Sequence, residues 1–190
     1  MQETIPTNLP AHLVYTLGQH KAVIDRCKNL YLRKAEDYGT SWRVLRPVSI
    51  VDQIYIKAWR IRQIQETGHQ KISDSIESEF IGIVNYGIIA LVQDAARGDN
   101  NFEWTFEEAK QGYEQMAQVV TDLMLQKNHD YGEAWREMSQ QSFVDLILVK
   151  LLRIKQIIAN DGKVQVSEGA DANFIDIVNY AVFALIKLAA

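Results

Sequence analysis

Lys127-Asn128-His129-Asp130-Tyr131-Gly132-Glu133-Ala134-Trp135 decides how this chain is read, because it occurs twice. The earlier copy is Lys34-Ala35-Glu36-Asp37-Tyr38-Gly39-Thr40-Ser41-Trp42, so K-x-x-D-Y-G-x-x-W recurs at an offset of 130 − 37 = 93 residues. At the same offset Ser49-x-x-Asp52 matches Ser142-x-x-Asp145, and Lys57-x-x-Arg60-Ile61-x-Gln63-Ile64 matches Lys150-x-x-Arg153-Ile154-x-Gln156-Ile157. Phe80-Ile81-x-Ile83-Val84-Asn85-Tyr86 matches Phe174-Ile175-x-Ile177-Val178-Asn179-Tyr180 at 174 − 80 = 94. The chain therefore reads as two tandem repeats, 11–96 and 102–190, after an irregular lead-in at 1–10.

Each repeat reads as three helices. Val23, Cys27, Leu30 and Tyr31 fall on one stripe at helical spacing, and Lys34 continues it. Gly39 is placed to end that helix, and Gly132 stands at the same point of the second copy. Pro47 and Ser49 announce the next helix, with Ser49 expected as N-cap and Asp52 at N3, running to about Glu66. A third is expected from near Ser73 through the apolar run Phe80–Val92. Arg97-Gly98-Asp99-Asn100-Asn101 is a polar linker by its turn-forming residues. Thr105-x-x-Glu108 reads as a capping box opening a helix to about Asn128, Ser142 opens the next, and Asn160-Asp161-Gly162 closes it. The last is expected from about Ser167 to Leu188. No strand-like alternation occurs, so the fold class is all-α, one bundle of two three-helix repeats related by a pseudo-twofold. Fused copies can pack as a homodimer would, so a monomer or loose dimer is expected.

Composition excludes some partners. A net charge of −4 over 190 residues provides no footprint for duplex nucleic acid. The single Cys27 has no internal partner for a disulfide, which suits a reducing compartment. The first dozen residues lack the pattern of a signal peptide, and no run reads as a membrane span, so no membrane partner and a cytoplasmic location are expected.

The middle helices carry the sharpest chemical signal. At about 100° per residue, Lys57 falls at the centre of the stripe made by Ile50, Ile54, Ile61 and Ile64. Lys150 falls likewise among Phe143, Ile147, Ile154 and Ile157. A buried lysine needs a carboxylate or an anionic ligand, whereas a lysine with a packed stem can extend its ammonium to water. Both readings stay open here. Arg60 and Arg153 flank the stripes, Lys34 and Lys127 end the preceding helices, and Asp37 and Asp130 follow in the loops. On the third helix of the second copy Asn173, Asp176, Asn179 and Tyr180 share one side, where the first copy has Glu79, Gly82, Asn85 and Tyr86. Trp42 and Trp135 are expected in the core rather than under a base.

Lys127, Lys150 and Arg153 facing Asp130 and Asp176 suit a phosphate-bearing ligand, and the second copy is expected to hold the more complete site. Mg²⁺ needs few protein carboxylates when phosphates add oxygens. In that expectation Asp176 and Asp130 hold metal or orient water. Asn179 and Tyr180, with Lys34, Asp37, Lys57, Arg60, Glu79 and Asn85 of the first copy, complete the substrate contacts.

K-x-x-D-Y-G-x-x-W, then S-x-x-D and K-x-x-R-I, then Glu168, Asp171, Asp176, Asn179 and Tyr180 resemble the nucleotide-modification-associated domain of the first type. That all-α family implies a link to modified-nucleotide metabolism, with no settled reaction. The helical layout is more distantly similar to MazG-like nucleoside-triphosphate pyrophosphohydrolases, which gather Mg²⁺ through acid pairs. Glu168-x-x-Asp171 is the match, which with Asp176 implies the metal ligands and hydrolysis of a phosphoanhydride. The alternative is a non-catalytic helical module that binds a nucleotide or a protein.

Overall fold

The computed structural model describes residues 9–164 and 168–189. Helices α1 (Ala11–Tyr38), α2 (Pro47–Thr67) and α3 (Ile76–Ala95) form the first copy, and α4 (Phe106–Tyr131), α5 (Gln140–Ala159) and α6 (Ala170–Leu188) the second. A single turn of 3₁₀ helix precedes each middle helix, at Ser41–Val44 and Ala134–Glu137. No strand occurs among the described residues, so the protein is an all-α bundle.

The helix ends correct several details. Ser49 is not the N-cap of α2: Pro47 begins the helix after Arg46, because its missing N–H and fixed φ suit the first helical position. Ser142 does not open α5; Ser139 does, and its hydroxyl accepts from the Ser142 backbone N–H. Asp52 and Asp145 are thereby released from capping. α3 begins at Ile76, with Ser75 rather than Ser73 as the residue that caps it. α6 begins at Ala170 behind Gly169, and Ser167 lies outside the described residues, as does most of the expected lead-in. α4 opens on the expected Thr105–Glu108 capping box and runs past Asn128 to Tyr131, where Gly132 takes a left-handed conformation (φ 58°).

Each helix of the first copy packs on its own counterpart: α1 on α4, α2 on α5, α3 on α6. Polar pairs reciprocate across the resulting pseudo-twofold. Asp52 on α2 meets Lys155 on α5 at 2.7 Å, while its counterpart Asp145 faces Arg62, the counterpart of Lys155, at 3.6 Å. In the interior, the Asn85 amide donates to the Cys27 carbonyl at 3.1 Å and accepts from Tyr113 of the other copy at 2.8 Å. Asn179 repeats this, donating to the Val120 carbonyl at 3.2 Å and taking His20 Nε2 at 2.9 Å. Val120 and Tyr113 are the counterparts of Cys27 and His20 at the offset of 93.

One apolar core runs through both copies, and α3 and α6 are its most buried helices. By length and composition α3 is apolar enough to cross a membrane, which corrects the sequence reading. Its apolar character serves packing here, since 61% of its most apolar window is buried. Gly87 lets α6 approach closely: a Cβ there would stand 2.5 Å from Val178 Cγ2. Gly87→Ala should destabilise the protein by about 1–3 kcal/mol through overpacking, less the roughly 1 kcal/mol that alanine adds as a helix former, measured by urea unfolding.

His20 is fully buried, and loss of hydration pushes its pKa down from 6.5 to about 4 against the raising effect of its bond to Asn179. Above pH 6.5 the imidazole is neutral folded or unfolded. Below it the unfolded chain takes up the proton first, so stability falls until about pH 4. His20→Gln should remove about 3 kcal/mol of acid-induced destabilisation between pH 6.5 and 4, read as the difference between the two pH–stability curves.

Candidate functional site

The middle-helix lysines both meet carboxylates, by different routes. In the second copy, Asp176 is buried and its two oxygens take one ammonium each, Lys127 at 2.5 Å and Lys150 at 2.6 Å. In the first copy the acid stands one turn earlier on the third helix. Glu79 receives Lys57 at 3.1 Å and Arg60 at 2.5 Å. The side chains of Lys57 and Lys150 keep only 26% and 12% exposure, so the paired reading holds over the snorkelling one. Burial pulls the Lys127 pKa down, but the bond and charge of Asp176 outweigh it and hold the ammonium above its ordinary value.

Moving the acid leaves a gap. Gly82 occupies the position of Asp176, and the Lys57 stem lies over it: a Cβ at Gly82 would sit 2.7 Å from Lys57 Cε. Lys34, the counterpart of Lys127, has no ion-pair partner among the described residues. A cleft of about 490 Å³ opens here, lined by Lys34, Tyr38, Trp42, Lys57, Glu79, Gly82 and Tyr86, with Asp74 among its acids. A second difference widens the contrast. Phe183 stacks on Trp135 at 4.3 Å in the second copy, filling space where the first copy has the smaller Ile89, which lines the cleft.

The other expected site residues are dispersed. Asp130 is 76% exposed and meets only its neighbour His129, at 3.0 Å, and Asp37 is also exposed. The amides of Asn85 and Asn179 are consumed by the buried bonds between copies. Tyr180 is half-buried near Asp176, and loss of hydration, then the Asp176 charge, raises its phenol pKa. Arg153 and Glu168 border a depression beside α5, yet their charges still act on Tyr180 and Lys127 of the Asp176 cluster, and Asp171 lies at the start of α6. Among the described residues no three His, Cys, Asp or Glu side chains gather as a metal site. With both oxygens of Asp176 held by ammonium groups, Asp176, Glu168 and Asp171 do not fit Mg²⁺.

The residue after each motif tryptophan was passed over in the sequence, although it too repeats. Arg43 is buried, stacks on Trp104 at 4.3 Å, and grips Asp99 (3.0 Å) and the Asn101 carbonyl of the linker. Arg136 stacks on Trp135 and binds Glu133 and Gln19. Gln93 and its counterpart Lys187 donate to the carbonyls of the two 3₁₀ segments, which fixes the wall behind each tryptophan.

The family model for nucleotide modification associated domain 1 matches residues 34–93 and 127–188. The chain belongs to that family. No curated protein and no solved structure matches it. Both nucleotide modification associated domain segments begin at the lysine that ends the first helix of a copy. Each then runs through the 3₁₀ turn and the middle and third helices, the elements that build the lysine–carboxylate clusters.

Lys150→Met should destabilise the protein by toward the lower end of about 3–5 kcal/mol, because buried Asp176 keeps only the more exposed Lys127. Equilibrium unfolding in urea checks this.

Proposed function

We propose that the first-copy cleft binds a nucleotide through its phosphate. The observation that carries this reading is Lys34, an exposed lysine without an ion-pair partner among the described residues, sharing the cleft with Lys57. The lining sets Lys34 and Lys57 against Glu79 and Asp74, and Glu79 is already neutralised by Lys57 and by Arg60, which stands outside the lining. An added phosphate meets Lys34, whose charge no ion pair among the described residues offsets, which favours its binding. Tyr38 and Tyr86 supply aromatic surface for a base or sugar, with the core Trp42 behind them, and about 490 Å³ falls within the usual range for small-molecule sites. Membership of the nucleotide modification associated domain family supports a nucleotide over other phosphate esters.

Hydrolysis of a phosphoanhydride receives less support. It requires acids free to hold a metal or activate water, and Asp176 is engaged by two lysines while the exposed Asp130 meets His129 and joins no group of three metal-type ligands among the described residues. Binding without turnover is the reading carried forward.

Titration of nucleoside mono-, di- and triphosphates, including modified deoxynucleotides, should find at least one that raises the melting temperature of the wild-type protein. Lys34→Met should weaken that ligand about tenfold, roughly 1.4 kcal/mol, without loss of stability in the free protein. No ligand response across the panel would sink the proposal. Pyrophosphate or phosphate release in the presence of Mg²⁺ or Mn²⁺ would convert it to the hydrolytic reading.

A further inference from the structure

We infer that Asp176 occupies, in the second copy, the place where the first copy receives a ligand's phosphate. An anion subsite then lies between Lys34 and Lys57, and a latent one lies under Asp176 between Lys127 and Lys150. The inference rests on the phosphate reading of the cleft, and adds where the phosphate sits and why one copy is open.

The two copies share one frame, so each shows what the other lacks. Lys127 and Lys150 converge on a single carboxylate, 2.5 and 2.6 Å from its two oxygens. Their counterparts Lys34 and Lys57 line one cleft, and the residue that would supply that carboxylate is Gly82. Two ammonium groups that close on a carboxylate in one copy border a single cleft in the other, where a phosphate's oxygens take the place of the carboxylate's. Glu79 does not take the vacant role: it stands a turn away, shared between Lys57 and Arg60, and leaves Lys34 unpaired. Arg153, the counterpart of Arg60, forms no ion pair among the described residues. The first copy has thus moved its acid and recruited its arginine, which helps to neutralise the acid, leaving Lys34 to an external anion that shares Lys57 with Glu79. The class of ligand is a phosphomonoester or pyrophosphate group, held by two point charges rather than by a fork.

Inorganic pyrophosphate, titrated calorimetrically at constant ionic strength, tests this in three proteins. The wild type should bind one equivalent. Gly82→Asp should weaken binding at least tenfold, while Gly82→Asn, which displaces the Lys57 stem to the same extent without adding charge, should change it far less. Asp176→Gly should bind two equivalents, with folding checked by far-UV circular dichroism. If that variant does not fold, the Gly82 pair decides alone. No binding to the wild type, unchanged affinity in Gly82→Asp, equal loss in Gly82→Asn, or one equivalent on folded Asp176→Gly would each overturn the inference. Nucleotides that bind wild type and Gly82→Asp alike would overturn it and leave the proposed function standing. Pyrophosphate following the expected pattern with no nucleotide bound would do the reverse.

Discussion

A lysine ammonium in the middle of an apolar helical stripe must be met by negative charge, since leaving it unpaired away from water is strongly unfavourable. Lys57 and Lys150 both stand in that position, and the third helix of each copy is arranged to answer them. The requirement can be met from more than one turn of the helix. Asp176 meets it directly opposite; Glu79 meets it from one turn earlier, with Arg60 sharing the load. That freedom is what allows two copies of one unit to have the same skeleton and different clefts.

The skeleton itself depends on polar groups that are satisfied only when both copies are present. Asn85 and Asn179 each reach a carbonyl of their own first helix and a side chain of the other copy's first helix. These groups are buried, so separating the copies would leave amide, phenol and imidazole groups without partners. The reciprocity of Asp52–Lys155 and Arg62–Asp145 at the surface says the same with weaker, solvent-screened contacts. The halves are therefore one folded unit, and the cleft is built on helices held in place by the interior of both.

Duplication followed by divergence gives a simple physical account of the asymmetry. In the second copy Asp176 and the stacked Phe183–Trp135 pair fill the space with charge and ring. In the first, the Lys57 stem lies over Gly82 and the smaller Ile89 lines a cleft open to solvent or ligand. A filled copy contributes stability, and an open copy contributes a binding surface at some loss of stability.

By itself the sequence determined the repeat, the all-α class, the core tryptophans and the lysines at the centre of an apolar face. Those properties follow from spacing along one helix, which a single chain displays. The caps of α2 and α5 were less legible, because Ser49 and Ser139 offer the same hydroxyl and only backbone geometry chooses which caps. Which acid meets which lysine was decided by the tertiary structure. So was the choice of Asn85 and Asn179 as ties between copies, and the opening of the cleft in the first copy rather than the second. Gly82 was visible as a missing acid and read as a deficit. Only packing shows that the missing side chain lets the Lys57 stem lie over Gly82 beside an open cleft, since space is a property of several helices at once and of none of them alone.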